Sequence, residues 1–99
     1  MKQITLVCAA GMSTSMLVEK MKQAAKDKKI EIEIRATANR DFKGYADQTD
    51  ILLLGPQVSY MLDELKTKYE PKGIKVDVIN TMDYGMMNGE KVLLEAINA

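Results

Sequence analysis

The chain has 99 residues with 14 basic and 14 acidic side chains, so its net charge is zero; it has one cysteine and neither histidine nor tryptophan. That composition excludes an internal disulfide, a histidine-bearing zinc cluster and a Cys–His catalytic pair, and it argues against a polybasic surface for nucleic acid or membrane. The length suits one domain over residues 1–99, no apolar run approaches the roughly 20 residues that span a bilayer, and a lone free cysteine fits a reducing, cytoplasmic setting.

Ile4 to Val7 is a short, apolar, partly β-branched run, suited to a strand covered on both faces. Cys8 to Gly11 then turns the chain, and Ser13, Thr14 and Ser15 offer capping oxygens where a helical pattern begins. Met16, Leu17, Met21, Ala24 and Ala25 are expected on its buried face, with Glu19, Lys20, Lys22, Gln23 and Lys26 outside. Ile30, Ile32 and Ile34 alternate with charged residues, so 30–35 reads as a strand with one wet face near a sheet edge. A polar stretch follows, with one short helix expected near Phe42 to Ala46.

Ile51 to Leu54 is a second continuous apolar strand. Pro56 stands as at a helix start, and Val58, Met61, Leu62 and Leu65 follow at helical spacing, with Tyr69 one turn later. Pro71 and Gly73 close that helix, and Ile74, Val76 and Val78 alternate along another edge-type strand. Asn80 to Gly89 reads as irregular, and Val92, Leu93, Ala96 and Ile97 as a terminal amphipathic helix.

Strands alternating with helices imply right-handed parallel βαβ units, hence an α/β fold with helices on both faces of the sheet. Placing the two continuous strands centrally and the two alternating ones at the edges gives a four-stranded parallel sheet of order 2-1-3-4 in a three-layer sandwich. The winding direction then reverses between strands 1 and 3, where ligands enter beyond the carboxyl ends. The loops at that crevice are Cys8 to Ser15 and Gly55 to Ser59, the two most distinctive stretches of the chain. Local motif and global topology point to one place.

A helix N-terminus presents unpaired N–H groups and a partial positive charge, which favour an anion and stabilise a thiolate. Cys8 is therefore a candidate nucleophile toward an anionic electrophile, phosphate first. The plainer alternative is that it is a small buried hydrophobe. A Walker loop would need a lysine and a dinucleotide loop three spaced glycines, and neither pattern is present. The nearest catalytic analogue is the cysteine loop of low-molecular-weight tyrosine phosphatases, which has arginine where this chain has Thr14. Without that guanidinium, a phosphorylated cysteine could be cradled yet hydrolysed poorly, as a carrier requires.

Cys8-Ala-Ala-Gly-Met-Ser-Thr-Ser-Met-Leu-Val18 and Leu52-Leu-Leu-Gly-Pro-Gln-Val-Ser-Tyr-Met-Leu62 together resemble the enzyme IIB component of the sugar phosphotransferase system, lactose/cellobiose (chitobiose) type. The resemblance runs nearly end to end and includes Asp83-Tyr84-Gly85. It implies that Cys8 accepts phosphate from a phosphohistidine of enzyme IIA. It further implies transfer to a β-linked disaccharide bound by membrane enzyme IIC. In that reading the amides of Ala9, Ala10, Gly11, Met12, Ser13, Thr14 and Ser15 surround the phosphoryl oxygens, with no metal or cofactor. A monomer is expected. The alternatives are a phosphatase-like hydrolase and a regulatory module that binds an anion reversibly.

Gln57, Tyr60 and Tyr84 are candidates for the crevice wall or a partner surface; for Gln57 and Tyr60 the plainer reading is a first-turn polar residue and a half-buried packing ring. Met12, with Met82, Met86 and Met87, is a candidate for an adaptable apolar docking surface, against the alternative of core filling.

Overall fold

The computed structural model describes residues 2–8 and 12–98, and no side-chain placement for Cys8, Met12, Ser13, Thr14, Asn39 or Arg40. Four parallel strands, β1 (Lys2–Cys8), β2 (Ile32–Ala38), β3 (Ile51–Leu54) and β4 (Lys75–Val78), form one sheet in the order β2-β1-β3-β4. Of the two inner strands, β1 pairs with β2 and β3, Leu6 standing between Ala36 and Leu53. The expected topology and edge assignments are those observed.

One face of the sheet carries α1 (Met12–Asp27), α3 (Thr81–Gly85) and α4 (Gly89–Asn98). Ile4, Leu6, Ile34, Ile51 and Leu53 point into that layer and meet Leu17, Met21, Val92 and Leu93. The alternate residues Val7, Leu52, Leu54 and Val76 face the other way, toward α2 (Leu62–Tyr69) and Phe42. Strand alternation thus splits one apolar run into two cores.

Several boundaries differ from the expectations. Met16 is exposed, and Val18 takes its place in the core. At 3.6 residues per turn Met16 shares its side with Lys20 and Gln23, roughly 140° from the centre of the buried stripe. Ile30 lies outside β2 because its N–H closes the end of α1 on Ala25 O at 2.8 Å. The strand instead runs on to Ala38, paired with Cys8. The expected helix at 42–46 is two 3₁₀ segments, Asn39–Gly44 and Ala46–Gln48, meeting at Tyr45.

After Pro56 the chain is first a 3₁₀ segment, Pro56–Met61, before α2 begins. Val58 has φ −116° and ψ 21°, which breaks the α-helical pattern. The apolar spacing is nevertheless satisfied: Val58, Leu65 and Tyr69 are buried, and Met61 and Leu62 half-buried. The stretch from Asn80 to Gly89, expected to be irregular, contains α3. Asn80 Oδ1 accepts from the N–H groups of Met82 (2.9 Å) and Asp83 (3.2 Å), which caps that short helix.

Candidate functional site

Cys8 is the last residue of the inner strand β1, at the carboxyl end of the sheet. Its backbone pairs with Ala38 on one side, and on the other the Gly55 N–H donates to Val7 O at 2.9 Å. The chain leaving β3 therefore passes directly beside the cysteine's strand. α1 starts at Met12, so its N-terminus lies four positions after Cys8 in sequence. The expected amide cradle over Ala9, Ala10 and Gly11 lies outside the described residues, as do the side chains of Cys8, Met12, Ser13 and Thr14. Ser15, the next residue of the expected cradle, is exposed in the first turn of α1.

The second wall comes from the segments that follow β3 and β4. Gly55, extended at φ −64° and ψ 153°, leads into Pro56 and the exposed Gln57. Beyond β4 the Ile79 N–H donates to Leu54 O at 2.8 Å, and Asn80 then caps α3. These two segments meet through side chains, the Gln57 Nε2 amide donating to Tyr84 Oη at 3.3 Å. Tyr84 is only 8% exposed and belongs to the α1/α4 core, whereas Val58, next to Gln57, belongs to the α2 core. The bond thus ties the two layers across the carboxyl end of the sheet.

Tyr60 is 80% exposed, so the expectation of a half-buried packing ring is overturned. It lies two residues after Val58 on the 3₁₀ segment, and at helical spacing that puts it on the side opposite the one that Val58 buries. The methionine group divides. Met82 and Met86 are 71% and 69% exposed on α3 and its end, while Met87 packs against the α1/α4 core. Asn80 was missed as a site-forming residue. The signal was present: Asn80 followed three positions later by Asp83 is the pattern of a helix start.

Asp83 is buried beside Tyr84, with Oδ1 3.5 Å from Lys91 Nζ on α4 and Oδ2 without a hydrogen-bond partner among the described residues. Among the described residues, no three His, Cys, Asp or Glu side chains converge as metal ligands would, and no helix is long and apolar enough to cross a membrane. An open concavity of about 580 Å³ runs along α4, lined by Asn88, Lys91, Glu95 and neighbours; it includes none of the expected site residues.

The family described as "PTS system, Lactose/Cellobiose specific IIB subunit" matches residues 3–95. This chain belongs to that family. The cellobiose-specific EIIB component of Lactococcus lactis subsp. lactis (strain IL1403) is 49% identical over 98% of this IIB chain and 94% of the relative. Among solved structures, the lactose-specific IIB component domain from Streptococcus pneumoniae superposes with a TM-score of 0.85 at 19% identity, covering 98% of this chain and 95% of that one. A YwlE mutant from Bacillus subtilis superposes with a TM-score of 0.63 at 11% identity, covering 94% of each chain. At those identities the likeness concerns fold alone, and it places the IIB chain in the architecture shared with low-molecular-weight tyrosine phosphatases.

Proposed function

We propose that this component of a sugar phosphotransferase system is a phosphoryl carrier with Cys8 as the carrying residue. Phosphohistidine of enzyme IIA is the donor; a disaccharide of the cellobiose, chitobiose or lactose class, bound by membrane enzyme IIC, is the acceptor. The observation that carries the reading is position. The chain's one cysteine closes β1 at the winding switch, ahead of the N-terminus of α1 and beside the segment leaving β3.

In the first step the Cys8 thiolate attacks phosphorus in line, an S–P bond forms, and the P–N bond breaks with its electron pair going to the histidine nitrogen. In the second a sugar hydroxyl attacks the same phosphorus, the S–P bond breaks, and the thiolate is regenerated as the hydroxyl proton passes to a base at the acceptor site. Amides of residues 9–15 replace water around the phosphoryl oxygens, and a thiolate near a helix start is favoured over the thiol. Neither a metal nor a cofactor enters this scheme. The domain over residues 1–99 acts as a monomer in the cytoplasm. Hydrolysis is the lesser reading, since Thr14 occupies the place where phosphatases of this architecture have their arginine.

The test is mass spectrometry after incubation with a phosphohistidine-bearing IIA protein of the lactose/cellobiose class. One phosphate gained on Cys8, and none in a folded Cys8→Ser variant, is the expected result. Labelling retained by Cys8→Ser would remove the assignment, and steady release of free phosphate would favour the hydrolase.

A further inference from the structure

The chain has four asparagines, and one of them, Asn88, is followed by glycine; Asn39, Asn80 and Asn98 precede Arg40, Thr81 and Ala99. A backbone nitrogen can attack the side-chain amide carbon of the asparagine before it, and glycine leaves that approach open because it has no Cβ. We propose that Asn88–Gly89 is a modification site, converted to an aspartyl or isoaspartyl linkage when the corner between α3 and α4 opens and kept intact while that corner is closed. In the step, the Gly89 nitrogen loses its proton and bonds Asn88 Cγ, the bond from Cγ to the side-chain nitrogen breaks, and ammonia leaves with that proton. Water then opens the cyclic imide at either carbonyl. One opening gives aspartate; the other sends the main chain through Cβ and Cγ, one carbon longer.

The closed corner holds each reacting group in another bond. Gly89 N–H donates to Met87 O at 2.9 Å, so the nucleophile is engaged, and Asn88 Oδ1 accepts from Lys91 N–H at 3.2 Å, so the side chain is turned toward α4. Asn88 N–H donates to Asp83 O at 2.9 Å, which fixes the backbone ahead of the reacting pair. Gly89 is buried against α1, where an added Cβ would stand 2.5 Å from the Lys20 carbonyl carbon and 2.6 Å from the Met21 nitrogen. The close approach that makes glycine necessary there also leaves Asn88 without a shielding neighbour. The two products differ in what they keep. Aspartate caps a helix as well as asparagine does, and its charge suits the N-terminus of α4. The isoaspartyl link displaces the cap by one carbon, and Gly89 cannot shift into α1 to absorb it, so the corner does not re-form.

The experiment incubates the full chain at mildly alkaline pH, in buffer and in urea beyond its unfolding midpoint, and follows peptide masses over time. Isoaspartate is counted by methyl transfer from S-adenosylmethionine with a protein-isoaspartate methyltransferase. In urea, exchange of NH2 for OH is expected at Asn88 ahead of Asn39, Asn80 and Asn98. In buffer the same conversion is expected at least about tenfold slower, as for a reaction confined to an open minority. After return to buffer the isoaspartyl form is expected to have a lowered urea midpoint, while Asn88→Asp keeps that of wild type. No lead of Asn88 over the other asparagines in urea overturns the site. A rate in buffer no lower than in urea overturns the protection by the closed corner, and an isoaspartyl form with the wild-type midpoint overturns the corner's failure to re-form.

Discussion

The two faces of the sheet are covered in different ways. Beneath α1 and α4 the layer is aliphatic and closely fitted, with Leu17, Met21, Val92 and Leu93 on Ile4, Leu6 and Leu53. On the opposite face, among the described residues, only α2 is a true α-helix, and 3₁₀ turns supply the rest of the cover. Aromatic bulk stands in for regular packing there: Phe42 meets Tyr69 edge-on, with ring centroids 5.1 Å apart at 86°. Toward β2 that face becomes polar. Arg35 Nη1 donates to Thr5 Oγ1 (3.5 Å), the two buried hydroxyls of Thr5 and Thr49 bond at 2.8 Å, and Thr49 Oγ1 donates to Tyr45 O. One face is thus secured by many interchangeable contacts, the other by a few particular ones. Both meet at the carboxyl end, through Gln57 and Tyr84.

If that contrast is real, the largest single loss should come from the irregular face. Phe42 is fully enclosed on a 3₁₀ segment with no helix of its own to hold it. Phe42→Ala is expected to cost about 3–5 kcal/mol, since the void cannot be closed by sliding a helix inward. Urea unfolding with an unchanged m-value measures it. A loss below about 1 kcal/mol would mean that residues 39–48 merely lie on the sheet, and the comparison breaks.

On the fitted face the sensitive point is a close approach rather than a bulky side chain. A Cβ at Gly89 would stand 2.5 Å from the carbonyl carbon of Lys20 and 2.6 Å from the Met21 nitrogen. Both are backbone atoms of α1, so no side chain can rotate to make room. Gly89→Ala should force α4 away from α1 at a cost of about 1–3 kcal/mol, read as a lowered melting temperature. A neutral result would show that these helices are free to part, and that the tight packing assigned to this face is wrong.

The same contrast explains what the sequence disclosed. Continuous apolar runs at 4–7 and 51–54 and alternation at 32–34 and 74–78 are direct images of the pleat, so strand order and the crevice were legible. On the fitted face α1 and α4 could be read from their stripe, although apolar Met16 is exposed, its i+4 and i+7 neighbours being Lys20 and Gln23; α3, five residues long, shows no stripe, and its stretch reads as irregular. The 3₁₀ cover of the other face has no comparable period: a segment three to six residues long buries one side chain or none. At the site, the sequence offers Gln57 and Tyr84 as candidates for a crevice wall or a partner surface. Their bond was not legible there, because it joins segments after different strands and depends on where the Asn80 cap sets α3.

The smallest effect compares the corners at which a helix leaves each face. α2 and its terminal 3₁₀ turn end with Gly73 at φ 90°; Gly73 N–H bonds Glu70 O and Ile74 N–H bonds Tyr69 O. α1 ends by the same pattern, with Lys29 N–H on Lys26 O and Ile30 N–H on Ala25 O, but the left-handed position is Lys29 at φ 56°. Two nested bonds of this kind around a left-handed residue form the corner that glycine favours, because a Cβ is strained there. Lys29→Gly should relieve that strain, while removing a cation that suits the negative end of α1 offsets part of the gain. A net stabilisation of about 0.5 kcal/mol is expected, smaller in low salt than in high salt, because salt screens the lost charge interaction and leaves the backbone strain unchanged. Met87, at φ 55° after α3, repeats the geometry but packs against the core, so Met87→Gly should destabilise instead. Equal and opposite responses at Lys29 and Met87 would establish that burial, rather than dihedral strain, decides which corners keep a side chain.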